Sequence, residues 1–406
     1  MQSTSLIDTV TTSTTSSADI LVVCRTFPPN EGGIEEYAYN RCLQDPERVI
    51  ALVAGCPGDQ DFDQNQSFPV HRWFLPSFAQ GRGLSSLLKQ VINMFLSPLL
   101  AVKLYLRYRY HYIEWGHGYD FPALLLLSYL LPVRCFVYLH GNDLLCPLKN
   151  PVLRFLFSWT LKRCAGIVCN STFTKDYLQQ HFSISTPTYV INPTVRPSKF
   201  KVEDNGEILE GLGKQIRQAH NIPETAVVIL SVGRLVPRKG FARVIEYLPQ
   251  LLNENLDVHY LVCGRGPMLS ELKELASQLE VEKRVHFAGF VSDEQLAAYY
   301  SACDIFSLLT FFNTKAASIE GFGIVYLEAG YFAKPVIASR VGGVVDAVHH
   351  QETGLLVNPE SSAETFQALL QLCQDQELRE RLGQNGRQLA INPTPHSLIY
   401  KQLGIF

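Results

Sequence analysis

Glu320 and Glu328 are separated by seven residues, Gly-Phe-Gly-Ile-Val-Tyr-Leu. Gly321 and Gly323 suit a tight loop, and a helix is expected from Ile324. Such a loop exposes backbone N–H groups at a helix N-terminus, a site for phosphate. Glu320 would stand in the loop, and Glu328 just over one turn inside the helix. Their carboxylates can then accept hydrogen bonds from different hydroxylated parts of one ligand, such as a ribose and a hexose. A solvated pair of glutamates is the plainer reading, but Gly-Phe-Gly between them favours a ligand.

A second segment, Ser231-Val-Gly-Arg-Leu-Val-Pro-Arg-Lys-Gly240, follows a buried strand. Arg234 and Lys239 lie five apart across a proline-containing loop. Together they can neutralise a diphosphate and stabilise it as it departs, in place of a metal. A third, Pro28 to Glu36, carries Gly32 and Gly33 before a helix. It lets backbone approach a phosphate or sugar but is not GxGxxG. A fourth, Val137-Tyr-Leu-His-Gly-Asn-Asp143, ends a strand. His140 there can bond a substrate hydroxyl or assist proton transfer, and Asp143 can orient it or contact an acceptor. A lone histidine is ordinarily a structural contact; a strand-end histidine beside a cleft is the exception. Asp61-Phe-Asp63 has the DxD form that holds metal-bound diphosphates, but it is read as a solvated acidic loop.

These residues need scaffolding, and the hydrophobic pattern supplies it. Buried strands are expected at 20–24, 49–53, 112–115, 135–139, 166–169 and 188–191, with helices between several of them. Residues 122–132 read as a short buried helix. A mostly polar connection occupies 197–223. The pattern then restarts with strands at 226–232, 259–263, 285–287, 305–308, 335–338 and 354–357. Helices are expected at 241–253, 268–280, 293–301, 324–332 and 361–373. Alternating strands and helices imply parallel sheets. The fold class is therefore α/β, with two Rossmann-like doubly wound domains facing a central cleft. The expected divisions are a disordered tail at 1–18, an acceptor domain at 19–192, a donor domain at 193–378, and a helical segment at 379–406 crossing back to the first domain.

Composition narrows the classes. The chain has 406 residues and a formal net charge of −3. Residues 1–192 carry 15 Lys and Arg against 14 Asp and Glu, and the remainder 20 against 24. Neither half suits a nucleic-acid binder. The ten cysteines are dispersed, without CxxC or zinc spacing, which suits free thiols in a reducing, cytoplasmic setting. No metal site and no cofactor are expected. The segment 84–112, with Lys89, Lys103, Arg107 and Arg109 among Leu, Phe and Tyr, suits a surface helix touching anionic lipid; a domain helix with a polar outer face is the alternative.

The set GGIE at 32–35, HG at 140–141, NSTFTKDYL at 170–178, SVGRLVPRKG, LVCGRGP at 261–267, AYYSACDIFSLLT, EGFGIVYLEA and the terminal GGVVDAVHHQETGLLVNP resembles the retaining family 4 glycosyltransferases of GT-B fold. The resemblance covers nearly all of 19–378. It implies a nucleoside-diphosphate sugar held mainly by the C-terminal domain. Arg234 and Lys239 would bind the diphosphate, Glu320 the sugar hydroxyls and Glu328 the ribose. Phe322, Gly323, Ile324 and Val325 would present amides to the phosphates. Gly32, Gly33, Gly233, Gly264 and Gly321 would complete the donor site. His140 would lie at the sugar's reacting face, with acceptor contacts at His117, Asn142 and Asp143. The implied activity moves a hexose to a lipid, glycan or small-molecule acceptor without metal, by a front-face route. The stretch 313–324 resembles lipid-linked mannosyl- and glucosyltransferases. Asn192-Pro-Thr-Val-Arg-Pro197 departs from the family's usual Gly-Val-Asp turn, which leaves base preference open. Rival classes are a nucleotide-sugar epimerase or a phosphorylase of the same shape, and a non-catalytic sugar-nucleotide binder.

Overall fold

The computed structural model describes residues 18–75, 84–202, 205–312, 318–392 and 398–402. Residues 1–17 of the expected tail at 1–18, and residues 313–317 of the stretch 313–324, lie outside the described residues.

The N-terminal half runs β1 (Ile20–Cys24), α1 (Gly33–Gln44), β2 (Val49–Ala54), α2 (Asp59–Gln64), β3 (Val70–Trp73), α3 (Leu84–Tyr108), β4 (Tyr112–Trp115), α4 (Phe121–Leu130), β5 (Arg134–Leu139), α5 (Asn142–Leu148), α6 (Pro151–Arg163), β6 (Gly166–Cys169), α7 (Thr172–His181) and β7 (Thr188–Val190). After α8 (Gly206–Ala219) the second half runs β8 (Val227–Val232), α9 (Phe241–Asn253), β9 (Val258–Cys263), α10 (Leu269–Gln278), β10 (Val285–Gly289), α11 (Asp293–Ala302), β11 (Ile305–Leu308), α12 (Ile324–Tyr331), β12 (Val336–Ser339), α13 (Val344–Ala347), β13 (Gly354–Val357), α14 (Ser362–Gln374), α15 (Gln376–Ile391) and α16 (Leu398–Gln402).

Two parallel sheets result, in the orders β3-β2-β1-β4-β5-β6-β7 and β10-β9-β8-β11-β12-β13. Strand order reverses between β1 and β4 in one and between β8 and β11 in the other. Ligands bind in the crevices at such reversals, beyond the carboxyl ends of the strands. The strands are nearly continuous apolar runs because helices cover both faces; β1, β2 and β9 are buried throughout.

Several expectations need correction. β3 escaped notice because three of its four residues, Val70, His71 and Arg72, are only half-buried and do not alternate cleanly. The connection at 197–223 contains α8, a helix whose outer face is charged; Leu209 and Ile216 pack inward while most of its surface is solvated. Asp61 and Asp63 lie in the short helix α2, not a loop, and Asp63 pairs with Arg72 at 2.8 Å. The helix at 121–130 is only half-buried, with Leu126, Tyr129 and Leu130 exposed. The ten cysteines are all free.

α15 runs unbroken through residue 379 and packs on α12, and the return to the first domain is made by α16. Ile399 and Tyr400 join an N-terminal core cluster. The Tyr400 hydroxyl donates to Glu114, which also takes a bidentate bond from Arg41 and a hydroxyl bond from Tyr138 at 2.9 Å. Arg41 and Glu114 are both buried, so each depends on the other for charge neutrality.

Candidate active site

The C-terminal half of the candidate site is built at the carboxyl ends of β8, β9 and β11. Behind β8, a short 3₁₀ turn at Pro237–Lys239 aims two cations at one carboxylate. The Glu320 side chain lies 2.7 Å from the Lys239 ammonium and 2.5 Å from the Arg238 guanidinium. Burial alone would raise the Glu320 pKa, but the pull of Lys239 and then Arg238 reverses this and brings it to about 2. Burial lowers the Lys239 pKa, and Glu320 only partly restores it. Arg234 is exposed at the turn's start. Lys239 therefore meets Glu320 directly, and Arg238, which spacing did not single out, is its companion. Adjacent Arg and Lys in a turn cannot be assigned to opposite sides from sequence.

Beyond Glu320, Gly323 adopts a φ of 91° and caps α12. A left-handed residue there favours glycine. The Phe322 side chain is buried in the C-terminal core, which leaves its backbone for a ligand. The first amides of α12, at Ile324 and Val325, have no intrahelical partner by geometry and form the phosphate-sized donor set. Gly264 packs against Gly233: a Cβ at Gly264 would stand 1.8 Å from the Gly233 carbonyl oxygen.

Glu328 occupies the inner wall and is buried. One carboxylate oxygen lies 2.5 Å from the Lys199 ammonium, and the other accepts the Tyr300 hydroxyl at 2.8 Å. Burial would lower the Lys199 pKa, but Glu328 and then Asp293 raise it. Next to Lys199, Arg196 makes a bidentate pair with Glu36 on α1. Neither cation was singled out by spacing; both lie in the interdomain connection, where only tertiary structure gives them partners.

The N-terminal half meets this wall closely. A Cβ on Gly321 would stand 2.2 Å from the His140 carbonyl oxygen, and one on Gly33 would stand 4.0 Å from Ile324. Gly32 precedes α1 as its N-cap. Asn142 accepts the Ile319 N–H at 2.9 Å. Asp346 of α13 accepts from the Thr172 N–H at 2.7 Å and from Asn192 at 3.1 Å. The cleft is therefore closed around the Glu320–Ile324 loop.

His140 is buried, and its Nε2 lies 2.8 Å from the Gly116 carbonyl oxygen. A carbonyl can only accept, so Nε2 carries the proton and Nδ1 of the neutral ring is an acceptor. Burial lowers the His140 pKa, with Asp143 opposing it. The Tyr37 ring stands edge-on at 5.3 Å and fixes the imidazole plane. Asp143 accepts the Gly118 N–H at 2.8 Å and the His140 N–H at 3.0 Å, so its carboxylate ties two strand-end loops together. His117 accepts the Arg25 N–H at 3.3 Å through Nε2, and its buried Nδ1 has no partner. Arg25 leans over the Tyr119 ring, 4.9 Å from its centroid, beside the β1–β4 reversal. No group of three or more His, Cys, Asp or Glu side chains suited to a metal occurs among the described residues.

Solved structures share this architecture. Anabaena HepE, in complex with UDP and glucose, superposes with a TM-score of 0.74 at 20% identity, covering 95% of this chain and 98% of that one. WaaG, a glycosyltransferase involved in lipopolysaccharide biosynthesis, superposes with a TM-score of 0.65 at 17% identity, over 95% and 99%. Fold and site together define a glycosyltransferase of GT-B fold. The family model for Glycosyltransferase Family 4 matches residues 31–199, and that for Glycosyl transferases group 1 matches residues 214–389. The chain belongs to the family 4 glycosyltransferases. Among its relatives, the GDP-mannose-dependent alpha-(1-6)-phosphatidylinositol monomannoside mannosyltransferase of Mycobacterium tuberculosis is 26% identical over 387 residues, 91% of this chain and 92% of the relative. The D-inositol 3-phosphate glycosyltransferase of Corynebacterium efficiens is 36% identical over 182 residues, 43% of this chain and 41% of the relative.

Proposed function

We propose that the chain is a retaining, metal-independent hexosyltransferase that moves a mannose- or glucose-type sugar from a nucleoside diphosphate to a lipid-linked or glycan acceptor. The observation that carries this reading is Glu320, held as a carboxylate by Lys239 and Arg238 beside the α12 N-terminus. A hexose hydroxyl finds an acceptor there, and the adjoining amides and cations take the phosphates. GDP-mannose is the favoured donor, because relatives aligned over nine-tenths of the chain carry that dependence in their names.

In this mechanism the sugar C1–O bond to the β-phosphate breaks as the acceptor oxygen bonds to C1 on the same face. The acceptor proton passes to the departing phosphate oxygen. Arg234, exposed at the mouth, and Lys239 stabilise the charge that develops on the diphosphate. His140 acts through its free Nδ1, accepting a sugar hydroxyl and positioning the ring. Asn142 and the loop at His117 border the acceptor. Glu328, already held by Lys199 and Tyr300, presents its carboxylate toward the ribose.

The test is a donor screen. UDP- and GDP-sugars are incubated with the enzyme, with and without lipid extract and with and without EDTA, and nucleotide release is measured. GDP release from GDP-mannose that rises with extract and persists in EDTA supports the reading. Strict dependence on Mg²⁺ or Mn²⁺ would return attention to Asp61 and Asp63. Conversion of a nucleotide sugar without acceptor or nucleotide release would make the chain an epimerase.

A further inference from the structure

Exposed large apolar side chains are concentrated on one face of the N-terminal domain. On α3 they fall at Leu88, Val91, Phe95, Leu99 and Leu106, three, four, four and seven positions apart, which keeps them on one side of the helix. The opposite side of α3, including Leu96, Leu100 and Leu104, already packs on the N-terminal core. Both sides of this helix are therefore apolar, and only one is covered. Its neighbours continue the surface: Leu126, Tyr129 and Leu130 on α4, then Val152, Phe155 and Trp159 on α6. α4 packs against both α3 and α6, and Tyr129 and Phe155 each make edge contact with Trp159. Phe95 is 65% exposed and Trp159 43%. Among the described residues, the C-terminal domain shows scattered single positions, such as Ile208 and Val345, which is ordinary for a protein surface.

Charge on this face has one sign. From Leu84 to Arg163 the sequence holds nine Lys and Arg and three acidic residues. The three acids, Glu114, Asp120 and Asp143, are all buried. Eight of the bases are exposed, among them Lys103, Arg107, Arg154, Lys162 and Arg163. Arg163 also stacks over Tyr129 with its Cζ 4.3 Å from the ring centroid. An exposed apolar band with Tyr and Trp, ringed by bases and free of acids, is complementary to the headgroup layer of an anionic bilayer. No described helix is long and apolar enough to cross a membrane.

We infer that the α3–α4–α6 face docks the enzyme on the surface of an anionic lipid bilayer. The occupied surface is a three-helix face, wider than the single basic segment at 84–112. α4 begins immediately after the 116–120 loop that carries His117 and Gly116, so a bilayer on this face lies beside the acceptor half of the cleft. A lipid-linked acceptor then reaches the site without leaving the membrane, a consequence that rests on the proposed acceptor class.

Vesicle flotation of the full chain tests the docking without any catalytic readout. Vesicles of phosphatidylcholine alone and of phosphatidylcholine mixed with phosphatidylglycerol are compared at low and high salt. The expected result is binding at least ~10-fold stronger to the mixed vesicles and weakened by salt. Three double variants follow: Phe95→Ser with Leu99→Ser, Phe155→Ser with Trp159→Ser, and Lys162→Glu with Arg163→Glu. Each should lower binding by ~10-fold while thermal unfolding and nucleotide release from the donor stay near wild type. The charge-reversal pair lies on the exposed end of α6 and keeps the test intact if a serine pair fails to fold. Absence of binding to mixed vesicles overturns the proposal, and so does binding untouched by the α6 pairs. A chain that is dimeric by light scattering, made monomeric by the Phe155 and Trp159 changes and never lipid-bound would make this face a protein interface instead.

Discussion

The Lys199 ammonium stands 2.5 Å from the Glu328 carboxylate. The second glutamate of the Glu-x7-Glu pair is thus joined to the connection between the two domains. Because Arg196, three residues earlier, grips Glu36 on α1, one short segment ties both halves of the site to the hinge.

Replacing Lys199 by Met should leave Glu328 buried with Tyr300 as its only strong partner. Removing one member of a buried pair costs about 3 kcal/mol or more. Urea unfolding should show that loss, and the Lys199→Met, Glu328→Gln double variant should recover part of it. The single variant should also raise KM for the donor more than it lowers kcat, since the proposed ribose contact is disturbed and the reacting centre is not.

Glu320, Lys239 and Arg238 form a unit, with Arg234 outside it. Lys239→Ala and Glu320→Ala should each lower kcat by roughly 10²-fold or more, the scale for removing a preorganised charge contact. Arg238→Ala should resemble them, because it too holds Glu320. Arg234→Ala should lower kcat/KM without lowering the melting temperature, since its side chain is exposed. Steady-state kinetics alongside circular dichroism separates the two patterns; near-normal activity in all four variants would remove the site assignment.

Gly321→Ala tests closure. Its Cβ would stand 2.2 Å from the His140 carbonyl oxygen, so the Glu320–Ile324 loop and the HG turn must part. A displacement of about 1 Å can cost on the order of 10²-fold in rate. A kcat loss of that size with an almost unchanged melting temperature is the expected pair of results, because two domain surfaces can separate without unfolding either.

Stability should fall in mild acid. Burial, with His259 and His220 nearby, lowers the His286 pKa from 6.5 to about 4. His259 and His220 are lowered too, again chiefly by burial. The unfolded chain then binds more protons than the folded one below pH 6.5, so stability is full above that value and is lost as pH falls toward about 4. Glu320, at about 2, adds a second loss beginning below its ordinary value of 4.5. Thermal melts from pH 7 downward should show the decline, and His286→Gln should flatten its upper part.

Much of the fold was legible in the order of residues. Apolar runs such as Ile20–Cys24 and His259–Cys263 read as parallel strands because both faces are buried. The glycines of Gly-Phe-Gly marked a loop before α12. What failed to read was surface: α8 and β3 hide behind charged or half-buried residues, and α2 looks like an acidic loop until Arg72 is seen against Asp63.

The sequence by itself determined two α/β halves and a glycine loop leading into α12 between Glu320 and Glu328, because local pattern and glycine placement act over a few residues. Only the tertiary structure decided the partners. Lys239 and Arg238 converge on Glu320, Lys199 reaches Glu328 across 129 positions, and the His140 Nε2–H donates to the Gly116 carbonyl oxygen. A carboxylate or imidazole takes its protonation and direction from whatever burial places within about 3 Å of it. Those neighbours are distant in sequence, so no spacing in the chain records them.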